Sequence, residues 1–403
     1  MQRDEVLTLL SPEGLALLAS LPEYRGADDV LKTVTSLRAA GHSPALVAAV
    51  MNQSRLRRRA EAKFGPFAET MLFTEAGLEQ ATRFAVAARH AARFRDAGLQ
   101  HVADLGCGIG GDALALSALG LRVDAVERDE ATAAIAAFNL AAFDTAQVHH
   151  ADVTDYPLGE ADSVWLDPAR RSTAGGRTRR LHDPNEYSPS LNFAFELAVR
   201  MPAGIKLAPA LDRDLIPHWA EAQWVSDRGE VVELALWSGP LARDGIRRSA
   251  LVIRQDGAAA ELAADGDAPD VPVSALGDYL YEPDGAVIRA RLIGLLAEHL
   301  GDARMISGAI AYLSSDVAID SPFATCFRVR ETMPLDTAKI AKRLRELGIG
   351  SLEIKKRGTD HDPATLRKAL KLQGDESATL FLTRIDGRHR AILADRMEFP
   401  PAQ

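Results

Sequence analysis

Apolar positions change period along this chain, and the changes divide it. Over residues 1–98 they recur at near-helical spacing: Leu7, Leu10, Leu15, Leu18 and Leu21 form one stripe, the mark of an amphipathic helix. Ser11-Pro12-Glu13 and later Ser43-Pro44 supply a cap and a first-turn proline, so each should start a helix. From 99 to 255 short apolar runs alternate with helical stretches. The candidate strands are 101–105, 122–127, 146–149, 162–166, 204–208, 230–237 and 248–254. That alternation predicts an α/β, doubly wound sheet. Gln255 to Asp270 is rich in Ala, Gly and Asp, either a linker or an exposed hairpin tip. From 271 to 403 the pattern predicts a small α+β domain. A helix opens in Leu280–Arg289 and runs to about 300, a strand lies near Phe327–Val329, and a helix covers 336–347. A strand follows at 351–358, then a short helix at 363–370 and strands at 378–384 and 389–394.

Composition narrows the class. Hydrophobic residues make up 47% of 403 residues, enough for two or three cores. The net charge of −9 excludes a global basic field that would hold nucleic acid indiscriminately. Two cysteines, Cys107 and Cys326, have no framework spacing, which predicts no disulfide and a reducing, cytoplasmic setting. The amino terminus lacks a basic-then-apolar leader, and no run is long enough to span a membrane. His149-His150 has no partner at metal spacing, so no metal is expected.

The chemistry concentrates in Val102–Asp112. An apolar approach ends in Asp104, a glycine turn follows (Gly106, Gly108, Gly110, Gly111), and the next strand ends on Glu127. Glycines let backbone approach a nucleotide cofactor, and an acid at the end of the second strand holds two ribose hydroxyls. The spacing Gly106-x-Gly108-x-x-Gly111 also fits a dinucleotide, so NAD or FAD stays open on the glycines alone. Asp104 would repel a pyrophosphate but suits a cofactor with a cationic end and no phosphate. S-adenosylmethionine (SAM), with its ammonium and sulfonium, is such a cofactor.

A second landmark is Asp167-Pro168-Ala169-Arg170, which ends the fourth candidate strand. Ligands of open α/β sheets bind beyond the carboxyl ends of the strands, so Asp167 and Pro168 are candidates to face the reacting group. Arg170, Arg171 and Arg177, with Arg179 and Arg180, follow in a glycine-containing stretch suited to clamping an anion. Lys206 and Pro209 are further candidates to line the cleft. Gln80 and Thr82, ahead of the first strand, are candidates for a cofactor contact. A basic run, Arg55 to Lys63, either grips phosphates or forms a solvated helix face paired with Glu61 and Glu69.

The order Asp104, glycine loop, Glu127, Asp152 resembles that of class I SAM-dependent methyltransferases. The resemblance implies that Asp104, Gly106, Gly108, Gly110, Glu127 and Asp152 bind SAM, with Asp152 at the adenine amine. Amino-group methyltransferases carry Asp/Asn-Pro-Pro-aromatic where this chain has Asp167-Pro168. The likeness implies that Asp167 and the Pro168 carbonyl orient a target amine, while Ala169 and Arg170 replace the second proline and the aromatic. Asp167–Arg170 is also similar to the motif of RNA uracil-5-methyltransferases. Those need a nucleophilic cysteine, and neither Cys107 nor Cys326 has the expected surroundings.

Phe73–Thr82, Tyr281–Asp284 and Leu352–Gly358 extend the resemblance to bacterial class I methyltransferases with a C-terminal THUMP-like domain, with a core distantly similar to the trimethylguanosine synthase group. It implies a Rossmann-like seven-stranded sheet in 99–255, a helical region in 1–98 and a THUMP-like α+β domain in 271–403. It also implies an RNA partner, because THUMP domains bind RNA, with Lys355, Lys356 and Arg357 beside Arg170, Arg171 and Arg177 as substrate-binding residues. Two rival expectations stand next to it: methylation of a small anionic metabolite, and a non-catalytic RNA-binding protein that retains SAM.

Overall fold

The computed structural model describes residues 3–21, 27–170 and 187–399. The chain divides into two compact units, 1–220 with 235–243, and 221–234 with 244–403.

In the first unit, β1 (His101–Leu105), β2 (Arg122–Glu127), β3 (Ala146–His150), β4 (Ser163–Leu166) and β5 (Ala203–Leu207) lie parallel in the order β3-β2-β1-β4-β5. Helices Gly111–Ala118 and Glu130–Leu140 make the crossovers β1 to β2 and β2 to β3. The order reverses between β1 and β4, and such a switch point opens a crevice at the carboxyl ends of the strands. Every residue of β1 and β4 is buried, as befits strands covered on both faces. The amino-terminal helices share that core. Val6, Leu9, Val50, Leu56 and Phe64 form one apolar cluster with Val102, Leu114 and Trp165.

Beside those helices, Met71 to Thr74 is buried without regular secondary structure. Side chains supply the missing partners, as buried backbone requires. Arg57 donates to the Met71 carbonyl at 2.9 Å. The Asn139 carboxamide accepts from Leu72 N–H at 2.7 Å and donates to its carbonyl at 3.0 Å. Gln53 does the same for Phe73, at 3.0 and 2.6 Å. Asn139 also donates to the Ile109 carbonyl at 2.9 Å, tying this segment to the glycine turn.

The second unit holds β6 (Glu221–Asp227), the first part of β7 (Glu230–Trp237), β8 (Arg248–Ile253) and β9 (Ala259–Ala264). β6 pairs parallel to β8, and β8 antiparallel to β9. The stretch expected as a linker or hairpin tip holds the turn of the β8–β9 hairpin at 255–258 and then the strand Ala259–Ala264. β6 escapes the sequence pattern because all seven of its residues are buried, polar ones included. Gln223, for example, donates to Glu261 at 2.6 Å. The last residues of β7, 235–237, belong to the first unit, where Ser238 N–H donates to the Ala203 carbonyl beside β5.

Further on, β10 (Tyr279–Pro283), β11 (Arg304–Met305), β12 (Leu313–Ser315), β13 (Ala324–Pro334), β14 (Ile349–Lys356), β15 (Glu376–Ile385) and β16 (Arg388–Arg396) form a sheet ordered β11-β12-β10-β13-β16-β15-β14. Residues 279–283, expected to open a helix, form β10. The helix begins after Asp284, whose carboxylate accepts from Ala286 N–H at 2.8 Å. Helices Thr337–Glu346 and Pro363–Leu370 cover this sheet through Ile340, Leu344, Leu366 and Leu370.

Asn139→Ala strands the backbone groups of Leu72 and Ile109, and each buried unsatisfied group costs about 1–3 kcal/mol. Urea unfolding should place the variant at least ~2 kcal/mol below the parent. Asn139→Asp, which keeps one acceptor and loses the donor, should also be destabilised.

Candidate functional site

Asp104 is next to last in β1, at the switch point, and only 1% exposed. Among the described residues no side chain hydrogen-bonds either of its carboxylate oxygens. Burial pushes its carboxyl well above the ordinary range, and the nearby charges of Asp112 and Asp167 add to this against the opposing Lys206 and the Ala113 backbone. Leaving such a group without a cation is costly.

The glycine turn follows at once. Gly106, Gly108 and Gly110 have φ of 97°, 56° and 84°, a region open chiefly to glycine. A Cβ on Gly106 would sit 3.5 Å from the Asp167 carbonyl, so the turn lies against the end of β4. Gly106 and Cys107 donate to the Val126 carbonyl at 2.9 and 3.0 Å, which binds the turn to β2. Glu127, at the end of β2, accepts from Gly108 N–H at 3.1 Å and Asp129 N–H at 2.8 Å. The residue read from sequence as the ribose acid thus also shapes the turn. Asp152, exposed just beyond β3, accepts from Thr154 N–H and Oγ1 at 2.9 and 2.7 Å. Those bonds hold its carboxyl below the usual range.

Helix Glu75–Gln80 closes against the turn. A Cβ on Gly77 would lie 2.4 Å from Ile109 Cγ2, so glycine is needed there for close approach. Lys63 donates to the carbonyls of Leu78, Glu79 and Ala81 at 2.8, 2.7 and 2.9 Å. Arg55 and Arg59 both pair with Glu75, and Arg58 with Glu61. Arg57 and Lys63 of the basic run are therefore spent on backbone carbonyls, whereas Arg58 and Arg59 are exposed and paired with surface carboxylates. Thr82 is buried and donates to Asp112 at 2.6 Å, and His90 Nδ1 is 3.0 Å from the same carboxylate. Burial raises the Asp112 carboxyl, but His90, Lys206 and Thr82 together outweigh it and hold it below the usual range.

Asp167 stands one residue past β4 and is half-buried; Pro168 is buried. Register pairs Leu166 with Ile205, so Lys206 comes beside Asp167, with Nζ 2.6 Å from Oδ2. The same ammonium is 3.4 Å from the Gln80 carbonyl. Sequence reasoning named Lys206 only as a cleft residue. The register of two parallel strands gives it its place. Ala169-Arg170 forms a two-residue ribbon with Tyr187-Ser188, and Arg171, Arg177, Arg179 and Arg180 lie outside the described residues. Pro209 is half-buried.

In the second unit the three cations diverge. Lys355 pairs with Glu282 at 2.6 Å and Glu353 at 3.1 Å. Arg357 donates to the Ala311 carbonyl at 2.5 Å and lies over the Tyr312 ring. Lys356, between them, is exposed. Cys107 and Cys326 are both buried. His149 Nε2 is 3.6 Å from Asp124, which His101 also contacts at 2.9 Å. Among the described residues no group of three or more His, Cys, Asp or Glu is arranged to hold a metal, and no helix is long and apolar enough to cross a membrane.

SAM fits these residues. A buried carboxylate without a side-chain partner suits a cation, the glycine turn leaves open space at Gly108, and acids stand at the end of β2 and just beyond β3. Two consequences are testable. A raised folded-state pKa means that ionised Asp104 costs stability, progressively more as pH climbs from its unfolded value through the folded one. Asp104→Asn should therefore raise the melting temperature of the ligand-free protein at pH 7 while weakening SAM at least about tenfold by calorimetry, the loss of a charged partner being worth more than ~1.4 kcal/mol. Asp112, with a lowered pKa, has the opposite sign. Its contribution is complete above the unfolded value and lost as pH falls through the folded one, so Asp112→Asn should flatten the acid side of the stability profile.

A family model described as "THUMP domain-like" matches residues 324–396, and a domain of unknown function, DUF8688, matches residues 2–60. Two relatives from Mycobacterium tuberculosis, strains CDC 1551 and H37Rv, are each described as an uncharacterized S-adenosylmethionine-dependent methyltransferase. Each is 36% identical over 339 residues, spanning 82% of this chain and 90% of the relative. The crystal structure of a methyltransferase candidate from Porphyromonas gingivalis W83 shares the fold, with a TM-score of 0.71 at 23% identity over 89% of this chain and 92% of that one. With a glycine turn, a cation-seeking carboxylate and relatives matched over most of its length, the chain belongs to the S-adenosylmethionine-dependent methyltransferases.

Proposed function

We propose that the protein transfers a methyl group from SAM to a nitrogen of an RNA base. The observation that carries this reading is the position of Asp167-Pro168: at the carboxyl end of β4, with the Asp167 carbonyl against the glycine turn. When bound, SAM supplies a methyl group on a sulfonium sulfur, already activated for attack by a lone pair. The protein's task is then orientation. Asp167 accepts an N–H of the acceptor amine and, with the Pro168 carbonyl, turns the nitrogen lone pair toward the methyl carbon. After transfer the nitrogen sheds its extra proton to water. Alignment of this kind accounts for much of such a barrier.

The THUMP-like match over 324–396 supports an RNA acceptor, because THUMP domains bind RNA. The arginines at 170, 171 and 177 suit a phosphate backbone. Lys356 is the exposed cation of the 355–357 trio, whereas Lys355 and Arg357 would serve RNA through the surface that their internal bonds shape.

The test is transfer of labelled methyl from SAM to total RNA, repeated with Asp167→Ala. The variant should still bind SAM, weakened by no more than about tenfold through the lost charge, yet lose turnover by about 10²-fold or more. Acceptor affinity should also fall steeply with salt, as polyanion binding does. Label appearing only on a small metabolite, with flat salt dependence, would sink the RNA reading.

A further inference from the structure

We propose that Lys206 is the charge-balancing and positioning residue of the transfer site: it offsets the carboxylates that face the cofactor's cation and fixes Asp167 against helix Glu75–Gln80. The proposal rests on the reading of Asp167 as the residue that faces the methyl.

Geometry carries it. Lys206 Nζ lies 2.6 Å from Asp167 Oδ2 and 3.4 Å from the Gln80 carbonyl, on a side chain only 13% exposed. One ammonium thus bridges the motif after β4 and the helix that closes on the glycine turn. The helix is tied down on its other side, where Lys63 holds the carbonyls of Leu78, Glu79 and Ala81. Asp104 and Asp112 lie within the same field, and both feel Lys206. Lys206 thus bonds one carboxylate, Asp167, and acts on the other two only through its charge.

The chemistry gives that balance a purpose. The positive charge on sulfur is present in SAM, partly lost in the transition state and gone in S-adenosylhomocysteine. A site that is too negative would stabilise the sulfonium before reaction more than during it, which deepens the ground state and slows transfer. It would also hold donor far more tightly than product. An ammonium beside Asp167 tempers this field, and its bond to one carboxylate oxygen sets the carboxylate's rotation for the incoming amine.

The test compares SAM and S-adenosylhomocysteine binding by calorimetry at low salt. It needs no acceptor, so it is decided independently of the RNA reading. Lys206→Met should raise the preference for SAM over S-adenosylhomocysteine by about three- to tenfold, the size expected for one charge a few ångströms away in a partly screened site. Lys206→Arg should stay within about twofold of the parent. Asp167→Asn should move the preference the other way, and Lys206→Met with Asp167→Asn should return toward the parent. A well-folded Lys206→Met with the parent's preference would overturn the proposal. If Lys206→Met melts far below the parent, Asp167→Asn decides, and an unchanged preference there overturns it equally. With an acceptor in hand, Lys206→Met should lower kcat with little change in acceptor KM, and Lys206→Arg should restore it. A rise in KM alone would refute the positioning role.

Discussion

A buried carboxylate without a side-chain partner is the constraint on which the rest of the first unit depends. Asp104 ends up 1% exposed at the switch point of the sheet, where water cannot solvate it and no described side chain bonds it. A fold tolerates such a group when a ligand supplies what is missing, and the instability it stores is a reserve for binding. The glycine turn follows that group directly, Glu127 at the end of β2 bonds the turn, and the helix over the turn packs on Ile109.

Rigidity near the site comes from side chains that stand in for secondary structure. The stretch 71–73 borrows hydrogen bonds from Arg57, Asn139 and Gln53, and Asn139 passes the constraint to Ile109 in the turn. Lys63 gathers three carbonyls at the end of helix Glu75–Gln80. The glycine turn is thus held by side-chain bonds from helices distant in sequence, which fixes its position. Within the basic run 55–63, Arg57 and Lys63 serve this duty, while Arg58 and Arg59 remain exposed.

The second unit shows the same economy with a different outcome. Alternation along a strand sends Lys355 and Arg357 toward Glu282 and the Ala311 carbonyl, while Lys356 stays at the surface. Three adjacent cations are thus not three equivalent contacts.

Much was legible in the sequence because it is local. The glycine spacing, the acids at the end of β2 and just beyond β3, the Asp-Pro after β4 and the alternation of strand and helix depend on neighbours a few residues apart, and the methyltransferase fold follows from them. Pro12 and Pro44 start their helices as caps predict. What failed locally was decided by burial. β6 hides polar residues among strands it meets far along the chain, and 279–283 is a strand because β12 and β13 flank it. The pairing of Asp167 with Lys206 arises only when β4 and β5 fall into register, and the bonds of Thr82 and His90 to Asp112 only when the helices close on the turn. Periodicity and turn chemistry are written in sequence, whereas which charges meet, and which one is left without a side-chain partner, depends on contacts that only the folded chain brings together.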